Sequence, residues 1–403
     1  MRKSMLLAGA ALIPLVLAGC SSGGNEDAAA AKGEITYWLW DSNQQPAYTE
    51  CSQEFTKANP DITVKIVQRG WDDYWSTLTT GFASGTGPDV FTDHLSKYAE
   101  FVDKQQLAPL GDNVKTDIYA KGLADLWVGQ DGKRYGLPKD WDTVALFYNK
   151  KMVKDAGITD QQLKTLSWNP TDGGTYEKAI AHLTVDKFGK RGDDPGFDKK
   201  NVKVYGLGLE SSGGPSGQTQ WSMYTGTTGW THTDKNPWGT RYNYDDPRFQ
   251  QTIKWWAGLI DKGYMPKLET TVGASLNDNF AAGKAALNTN GSWMIGTYTG
   301  YKGVDVGIAP TPVGPSGKRA SMFNGLADSV WAGSKKQAAA MKWVEFLASP
   351  ACQDIVAKKA VVFPAITSSA ELAQQAFKAK GVDVTPFTDH VKDGTTFLFP
   401  ITS

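Results

Sequence analysis

At four predicted strand ends, a Trp or His ring stands next to a carboxylate in this 403-residue sequence, which contains 15 Trp residues in all. A sugar has apolar C–H faces, which such a ring can cover. It also has a rim of hydroxyl groups, to which a charged acceptor makes short, directional hydrogen bonds. The pattern therefore predicts a surface suited to a carbohydrate. The four pairs are Trp40-Asp41, Trp71-Asp72, Asp93-His94 and Trp141-Asp142.

The elements that would position these pairs alternate between strand and helix. A β-rich run at 35–40 is followed by apolar residues at helical spacing, an alternating strand at 62–66, a second helical face and a short strand at 88–91. This βαβαβ pattern predicts a parallel sheet with helices on both faces. Ligands of such sheets bind outside the carboxyl ends of the strands, and three of the four pairs follow a predicted strand.

Each of these rings also has a structural alternative, because Trp is mostly buried in folded proteins. Any single Trp of the pairs could be a core residue, and His94 could be a buried structural histidine. Trp221 and Trp293 lie in segments rich in Gly and Ser, which are typical of loops, so they join the candidates for stacking. Trp255-Trp256 lies on a predicted helix and is assigned to packing.

Other chemistries have little support in the residue pattern. The four histidines form no i, i+4 pair and have no cysteine nearby, so no metal is expected. The sequence has no nucleophile elbow, Walker loop or dinucleotide-binding glycine fingerprint, so neither a catalytic residue nor a cofactor is expected. Lys+Arg and Asp+Glu both number 42, and this neutral balance argues against a nucleic-acid partner. Two carboxylates that converge in space could still hydrolyse a glycoside.

The N-terminus has the pattern of an export signal. A short basic segment precedes an apolar run at 5–18, which is too short to span a bilayer. The run ends in Leu17-Ala18-Gly19-Cys20, which resembles the lipobox of bacterial lipoproteins. That resemblance implies a signal peptide at 1–19, and a lipidated Cys20 (with palmitate among its acyl chains) that opens a flexible tether at 20–33. The alternative is an ordinary secretory signal with an incidental cysteine.

Cys51 and Cys352 are the other two thiols of the chain. Export to an oxidising compartment permits a disulfide between them. The sequence does not give the distance between two residues 301 positions apart, and a disulfide requires close approach. A bridge and a pair of buried free thiols therefore both remain open.

Several segments, taken in their order along the chain, resemble the extracellular solute-binding proteins of ABC importers, in the large sugar-binding family. The segments are ITYWLW at 35–40, FTKANPDITVKI at 55–66, GTGPDVF at 85–91, FNGLADSVWAG at 323–333 and KWVEFLASPACQ at 342–353. Their order is more specific than any one of them. The resemblance implies an α/β fold of the two-lobed, type II periplasmic-binding-protein kind, with discontinuous lobes joined by hinge strands.

The same resemblance implies the domain boundaries. Each lobe takes two separated stretches of chain, 34–140 with 290–340 for lobe 1 and 141–289 with 341–403 for lobe 2. The chain is expected to pass between the lobes first near 138–144, again near 287–292 and a third time near 333–343. Family members usually continue into a final helix, so the C-terminus is expected to be shortened.

Twelve side chains at the expected cleft are carried over from the resemblance as ligand contacts. They are Trp40, Asp41, Trp71, Asp93, His94, Trp141, Asp142, Trp221, Asn290, Trp293, Asn324 and Asp328. The expected stacking platforms are Trp71, Trp221 and Trp293, and Phe363 is a weaker candidate.

The implied function is capture of a sugar without chemical change. Many Trp residues suggest a long cleft, which favours an oligosaccharide. The lobes would close over the ligand, and the closed protein would dock on the permease subunits of the importer. The protein would be a monomer, held at the extracellular face of the cell membrane by its lipid. The alternative is a secreted, lipid-anchored carbohydrate-active enzyme, which would form a product from oligosaccharides.

Overall fold

A computed structural model describes residues 31–111, 114–210, 214–270 and 276–402. The predicted signal peptide at 1–19, the lipidated Cys20 and most of the tether at 20–33 lie outside the described residues. Across the described ranges, no helix combines the length and the apolar character that crossing a membrane requires.

The strands build two sheets, one in each lobe. In chain order the strands are β1 (Gly33–Leu39), β2 (Ile62–Gln68), β3 (Val90–His94), β4 (Leu137–Asp142), β5 (Val144–Asn149), β6 (Val185–Asp186), β7 (Val202–Leu207), β8 (Ala285–Gly291), β9 (Val306–Ala309), β10 (Ser321–Val330), β11 (Phe363–Pro364) and β12 (Thr396–Leu398). The sheet of lobe 1 has the order β11-β4-β10-β3-β1-β2, with β12 paired to β10. The sheet of lobe 2 has the order β6-β7-β8-β5-β9. The predicted two-lobed α/β fold is confirmed.

The helices connect the strands and pack against the two sheets. They are α1 (Gln45–Ala58), α2 (Trp71–Ser84), α3 (Leu95–Asp103), α4 (Lys150–Asp155), α5 (Asp160–Lys164), α6 (Gly174–Leu183), α7 (Ser222–Thr225), α8 (Pro247–Asp261), α9 (Leu276–Ala281), α10 (Ile295–Thr299), α11 (Gln337–Leu347), α12 (Pro350–Lys359), α13 (Thr367–Ala379) and α14 (Thr385–Lys392).

Helix α1 shows how the local sequence sets an element. Pro46 lies in its first turn, where a missing N–H costs no hydrogen bond. Tyr48, Cys51 and Phe55 are buried, and their spacing of three and four residues places them on one face. Asn59 ends the helix, and its side-chain amide donates to the Phe55 carbonyl at 3.1 Å.

The first three strands are parallel, as the βαβαβ pattern predicts. Gly33 of β1 lies opposite Ile62 of β2, and Tyr37 of β1 lies opposite Val90 of β3. Strand β10 instead runs antiparallel to both β3 and β4, so the sheet is mixed. Because β10 is about 230 residues away from β3 in sequence, this pairing carries no local signal.

The placement of α11, α12 and α13 corrects the predicted boundary of lobe 2. Trp343 of α11 is fully buried, with its ring 5.8 Å from that of Tyr37 in β1. Cys352 of α12 forms a disulfide with Cys51 of α1, and their Cα atoms are 5.2 Å apart. Residues 341–379 therefore belong to lobe 1, and the chain does not pass between the lobes near 333–343 as expected. The helix pattern predicts that these helices have an apolar face but does not specify which core will bury it.

The segment at 290–320 was expected in lobe 1, and this too is corrected. Strand β9 pairs with β5, so the chain stays in lobe 2 until β10 begins. The second passage between lobes therefore lies between β9 and β10, and not near 287–292. Helix α14 packs beside β5, with the rings of Phe387 and Phe147 5.7 Å apart. The C-terminal region is thus divided between the lobes.

Candidate functional site: the cleft between the lobes

One edge of the lobe 1 sheet faces lobe 2, and several predicted contacts gather there. Strands β1 to β4 end at this edge, whereas the antiparallel β10 brings its first half to it. In the order of the strands, the edge carries Trp71 after β2, Trp40 and Asp41 after β1, His94 at the end of β3, Asn324 in β10 and Asp142 at the end of β4. The direction of the strands brings these side chains together.

An aromatic group forms the β1–β2 end of this edge. The ring of Trp40 contacts the rings of Trp71 at 5.0 Å, Tyr74 at 5.1 Å and Trp75 at 5.4 Å. Trp71 is the first residue of α2 and is 45% exposed, so its ring is available to a ligand. Trp75, one helical turn later, is buried and supports the other two rings. Trp75 is not among the residues predicted from sequence, although its spacing from Trp71 on one helix indicates that the two rings lie close together.

His94 lies between this aromatic group and the polar groups of β10. Its ring is 5.6 Å from that of Trp71. Burial lowers the pKa of His94 to about 3, with a smaller contribution from Lys97, so the ring is neutral. Nδ1 accepts from the Ser96 N–H at 3.0 Å, which caps α3, and lies 2.9 Å from Ser96 Oγ, which can also donate to it. Nε2 lies 3.0 Å from the side-chain amide of Asn324.

Asp142 joins the two lobes. Its Oδ2 accepts from Asn324 Nδ2 of lobe 1 at 3.2 Å, and its Oδ1 accepts from Gln218 Nε2 of lobe 2 at 2.9 Å. Burial raises the pKa of Asp142 well above its usual value, and the neighbouring Asp140 raises it further. Gln218 is not among the residues predicted from sequence, because it lies in a loop between β7 and α7 and has no motif around it.

Asp41 stands at the start of α1 with one side toward the cleft. Its Oδ1 accepts from the Asn43 N–H at 2.8 Å, and its Oδ2 accepts from Gln44 Nε2 at 3.0 Å. Burial raises the pKa of Asp41, and these hydrogen bonds oppose that shift. Asn43 also reaches lobe 2, where its Nδ2 donates to Thr297 Oγ1 at 3.3 Å. A second polar contact therefore spans the cleft.

Asp93 and Asp328 lie inside lobe 1, which corrects their assignment as cleft contacts. Asp93 is fully buried, and its carboxylate accepts from the His94 N–H at 2.8 Å and from Ser329 Oγ at 3.4 Å. Asp328 accepts from Tyr37 OH at 2.8 Å. Asp93 faces the opposite side of the sheet from His94, because side chains alternate along a strand. Asp328 lies farther along β10 than Asn324 and is therefore deeper in the lobe, away from the cleft.

Trp141 and Trp221 pack in the cores of their lobes, which corrects the expectation that both are ligand contacts and that Trp221 is a stacking platform. Trp141 is 4% exposed and stacks on Phe363 with ring centroids 4.6 Å apart. Phe363, the weaker candidate, is fully buried as well. Trp221 is 9% exposed and stacks on His232 at 5.6 Å. Phe363 is distant in sequence from Trp141, and His232 follows Trp221 without helical or strand spacing, so no local pattern predicts either contact.

Asn290 and Trp293 lie at the edge of lobe 2 that faces lobe 1. Asn290 is buried near the end of β8, where its Nδ2 donates to Asn277 Oδ1 at 3.2 Å. Trp293 follows in a short 3-10 turn and is partly exposed. Trp293 therefore stays a candidate for stacking, while Asn290 is held by a partner in its own lobe.

Replacing Asp93 by Asn is expected to remove a pH-dependent loss of stability. Burial raises the pKa of Asp93 to about 8. An unfolded Asp ionises near pH ~3.9, so between these values the native state holds a proton that the unfolded state has lost. The free energy of unfolding of the wild type should then fall relative to Asp93→Asn, by about 2–3 kcal/mol from about pH 5 to about pH 7.5.

Urea unfolding at the two pH values measures this difference. Asp61→Asn, at an exposed position of the same lobe, is the matched control and should show no such trend. A constant difference between wild type and Asp93→Asn across the range would contradict a protonated Asp93.

Among the described residues, no group of three or more His, Cys, Asp and Glu side chains is arranged to hold a metal ion. The polar groups of the cleft are instead hydrogen-bond donors and acceptors beside flat rings.

Comparison with known proteins identifies the family. The model of the bacterial extracellular solute-binding protein family matches residues 50–382, which is most of the chain. The chain belongs to this family. The match includes parts of both lobes and the cleft residues Trp71, His94 and Asp142, whereas Trp40 and Asp41 precede it. A family of binding proteins gives no support to the alternative of a carbohydrate-active enzyme.

Individual members of the family agree with this assignment. The maltodextrin-binding protein of Bacillus subtilis is 27% identical over 357 residues, which cover 87% of this chain and 78% of that protein. The crystal structure of UspC from M. tuberculosis is 26% identical, with a TM-score of 0.69 and coverage of 91% and 89%. An ABC substrate-binding protein of Listeria monocytogenes in complex with cycloalternan, 22% identical, has a TM-score of 0.74 with coverage of 92% and 89%, which shows the shared fold.

Proposed function

We propose that this solute-binding protein is the capture component of an ABC importer and binds a sugar, with an oligosaccharide as the favoured class, in the cleft between its lobes. One observation carries the proposal. The rings of Trp40, Trp71 and His94 lie beside the carboxylates of Asp41 and Asp142, at the ends of neighbouring strands of one sheet. The likeness to a maltodextrin-binding protein over most of the chain supports the same class of ligand.

The proposed mechanism is closure without chemistry. The rings of lobe 1 cover an apolar sugar face, while acceptors along the same edge bond the hydroxyl rim. Groups of lobe 2 complete the contacts only when the lobes meet, so the sugar shifts the population toward the closed form. Trp293, Asn324 and Asp142 are the proposed contacts beyond the rings of lobe 1. The closed form then docks on the permease subunits.

The proposed location is the extracellular face of the cell membrane. The lipobox-like segment that ends at Cys20 supports attachment through a lipid, and the tether at 20–33 would give the domain freedom to reach the permease. We propose that the protein acts as a monomer there. Metabolic labelling with a palmitate analogue, compared between wild type and Cys20→Ser, tests the attachment.

Removing the Gln218 side chain is expected to weaken closure. In Gln218→Ala, the buried Asp142 carboxylate loses a hydrogen bond from lobe 2 that exists only when the lobes meet. A hydrogen bond to a charged group is worth about 1.5–3 kcal/mol, so sugar affinity should fall by about tenfold or more. Small-angle scattering should show a larger radius of gyration without ligand.

The matched control is Gln161→Ala, at an exposed position on α5 of lobe 2, which should leave both quantities unchanged. An unchanged affinity and radius in Gln218→Ala would mean that the contact with Asp142 does not bias closure.

The proposed function is tested first by thermal shift against mono- and oligosaccharides at millimolar concentration. A ligand at about 100 times its dissociation constant adds roughly 2.7 kcal/mol to the free energy of unfolding, which gives a visible shift. We expect a shift with one class of sugar, and chromatography should recover that sugar unchanged. A protein that melts cooperatively and shifts with no sugar would refute the proposal, and a consumed sugar would favour an enzyme.

A further inference from the structure

The C-terminal segment at 396–402 lies in the cleft, next to the end of β3. Strand β12 pairs with the first residues of β10, and the next residue, Phe399, donates its N–H to the Phe323 carbonyl at 3.0 Å. The ring of Phe399 meets the His94 ring edge-on at 5.4 Å and is 2% exposed. Phe399 therefore lies directly in front of the imidazole that marks the middle of the sheet edge.

A loop of lobe 2 holds this segment in place. Asn236 donates through Nδ2 to the carbonyls of Leu398 at 3.2 Å and Phe399 at 2.9 Å, and its Oδ1 accepts from the Ile401 N–H at 3.0 Å. One side chain thus satisfies three backbone groups of the segment. These hydrogen bonds hold the segment against lobe 2. We call residues 396–402, together with the loop that contains Asn236 and Trp238, the end wall.

The end wall also contacts lobe 1 beyond the cleft. The ring of Trp238, in the same loop as Asn236, lies 5.9 Å from the ring of Tyr98 in α3. Helix α3 begins directly after His94, so this contact lies on the β3 side of the sheet edge. The wall therefore reaches from lobe 2 to lobe 1 at this side.

The two directions along the sheet edge differ in exposure. Toward β1 and β2, Trp40 and Trp71 keep exposed ring surface. Toward β10 and β4, Asn324, Asp142 and Gln218 are buried where the lobes meet. The buried side therefore carries amide and carboxyl groups, whereas the open side carries rings.

We infer that the cleft is closed at one end by the end wall, so that it binds a chain end of an oligosaccharide and lets the rest of the chain leave over Trp71. This inference rests on the proposed function. A terminal sugar unit carries one more free hydroxyl than an internal unit, and the buried polar groups beside His94 can bond it. An internal stretch of a polysaccharide would need an exit on both sides and meets Phe399 on one.

The test compares free and end-blocked forms of the same linear sugars. The probes are maltotriose, mannotriose, galactotriose and arabinotriose, each free, with a pyridylamino group at the reducing end, or with a benzylidene acetal at the non-reducing end. Isothermal titration calorimetry of the full soluble chain gives each affinity. For the trisaccharide that binds, blocking one end should weaken binding by about 30-fold or more, and blocking the other should change it by about threefold or less.

The outcomes separate this inference from the proposed function. Similar affinities for the free form and both blocked forms would overturn the inference that one end of the cleft is closed. A large loss of affinity with both blocks would overturn the inference that the other end is open. In both cases the protein would remain a sugar-binding protein. Binding of none of the free trisaccharides, together with no thermal shift in the wider panel, would overturn the proposed function and this inference with it.

A variant of the end wall adds a second measurement. Asn236→Ala should loosen the segment without changing the sugar contacts. The loss of affinity caused by the end block that weakens wild-type binding should then fall to about fivefold or less. Asn201→Ala, in a surface turn at the far end of lobe 2, is the matched control and should keep the full loss. The full loss in a folded Asn236→Ala would count against the end wall as its cause.

Discussion

Trp71→Ala should weaken sugar binding by about 30-fold or more, because a central aromatic anchor typically contributes about 2 kcal/mol or more. The folded state should stay close to wild-type stability, since Trp71 is 45% exposed and lies at the first position of α2. Its loss leaves Trp40 and Trp75 in contact with each other. Calorimetric titration with the sugar found by thermal shift, together with a melting curve, measures both quantities.

Phe188→Ala is the matched control for this change. Phe188 is 74% exposed in the turn after β6, and it should change neither affinity nor melting temperature. Trp293→Ala is expected to act in the same direction as Trp71→Ala, because that ring is partly exposed on the lobe 2 side of the cleft. If both Trp variants melt early and bind normally when folded, the rings are structural and the proposed site is wrong.

Lys139→Ala should lower the free energy of unfolding by about 3–5 kcal/mol, since breaking a buried charge pair leaves the partner charge uncompensated. The Lys139 ammonium is buried in β4 and lies 4.0 Å from Asp328. It also donates to Tyr37 OH at 2.9 Å and to Thr92 Oγ1 at 2.8 Å. Urea unfolding at neutral pH gives the change.

Burial, more than the pairing, sets the state of these two charges. It lowers the pKa of Lys139 and raises the pKa of Asp328, although each charge opposes the shift of the other. Desolvation therefore exceeds the attraction between them, as is common for buried pairs. The double variant Lys139→Met/Asp328→Leu should accordingly recover much of the stability lost in Lys139→Ala.

Lys151→Ala is the matched control on the surface. Lys151 pairs with Asp155 on α4, and both side chains are exposed. Such pairs contribute about 0–1 kcal/mol, so the control should be nearly neutral. A loss below about 1 kcal/mol in Lys139→Ala would show that the buried ammonium is not needed to balance Asp328.

The position of the cleft was largely predictable from sequence. In each βα unit of the first hundred residues, a run of β-forming residues predicts the strand, and apolar residues at helical spacing predict the helix. Both signals are local. Once the strands are parallel, their carboxyl ends must share an edge. Trp40, Trp71 and His94 follow those ends directly, so their neighbourhood depends on local elements and on the chirality of βαβ connections.

Single positions at the strand ends were less predictable. Asp93 and His94 are adjacent, yet one points into the lobe and the other lies at the cleft edge. Side chains alternate along a strand, so an error of one residue in where the strand ends reverses the assignment. A different limit applies to Asn324 and Asp328, which share β10 and differ in their distance from the cleft, because the sequence does not show where along β10 the cleft lies.

The sequence by itself determined the α/β alternation, the shared edge and the rings that follow it, because these depend on local propensity and on the spacing of apolar residues. Only the tertiary structure decided which core buries α11 and α12, where Lys139 finds its partners, and how Gln218 and Phe399 reach the cleft. Those contacts join residues far apart in the chain. These contacts form only when whole lobes pack and exclude water. No local periodic pattern in the sequence predicts them.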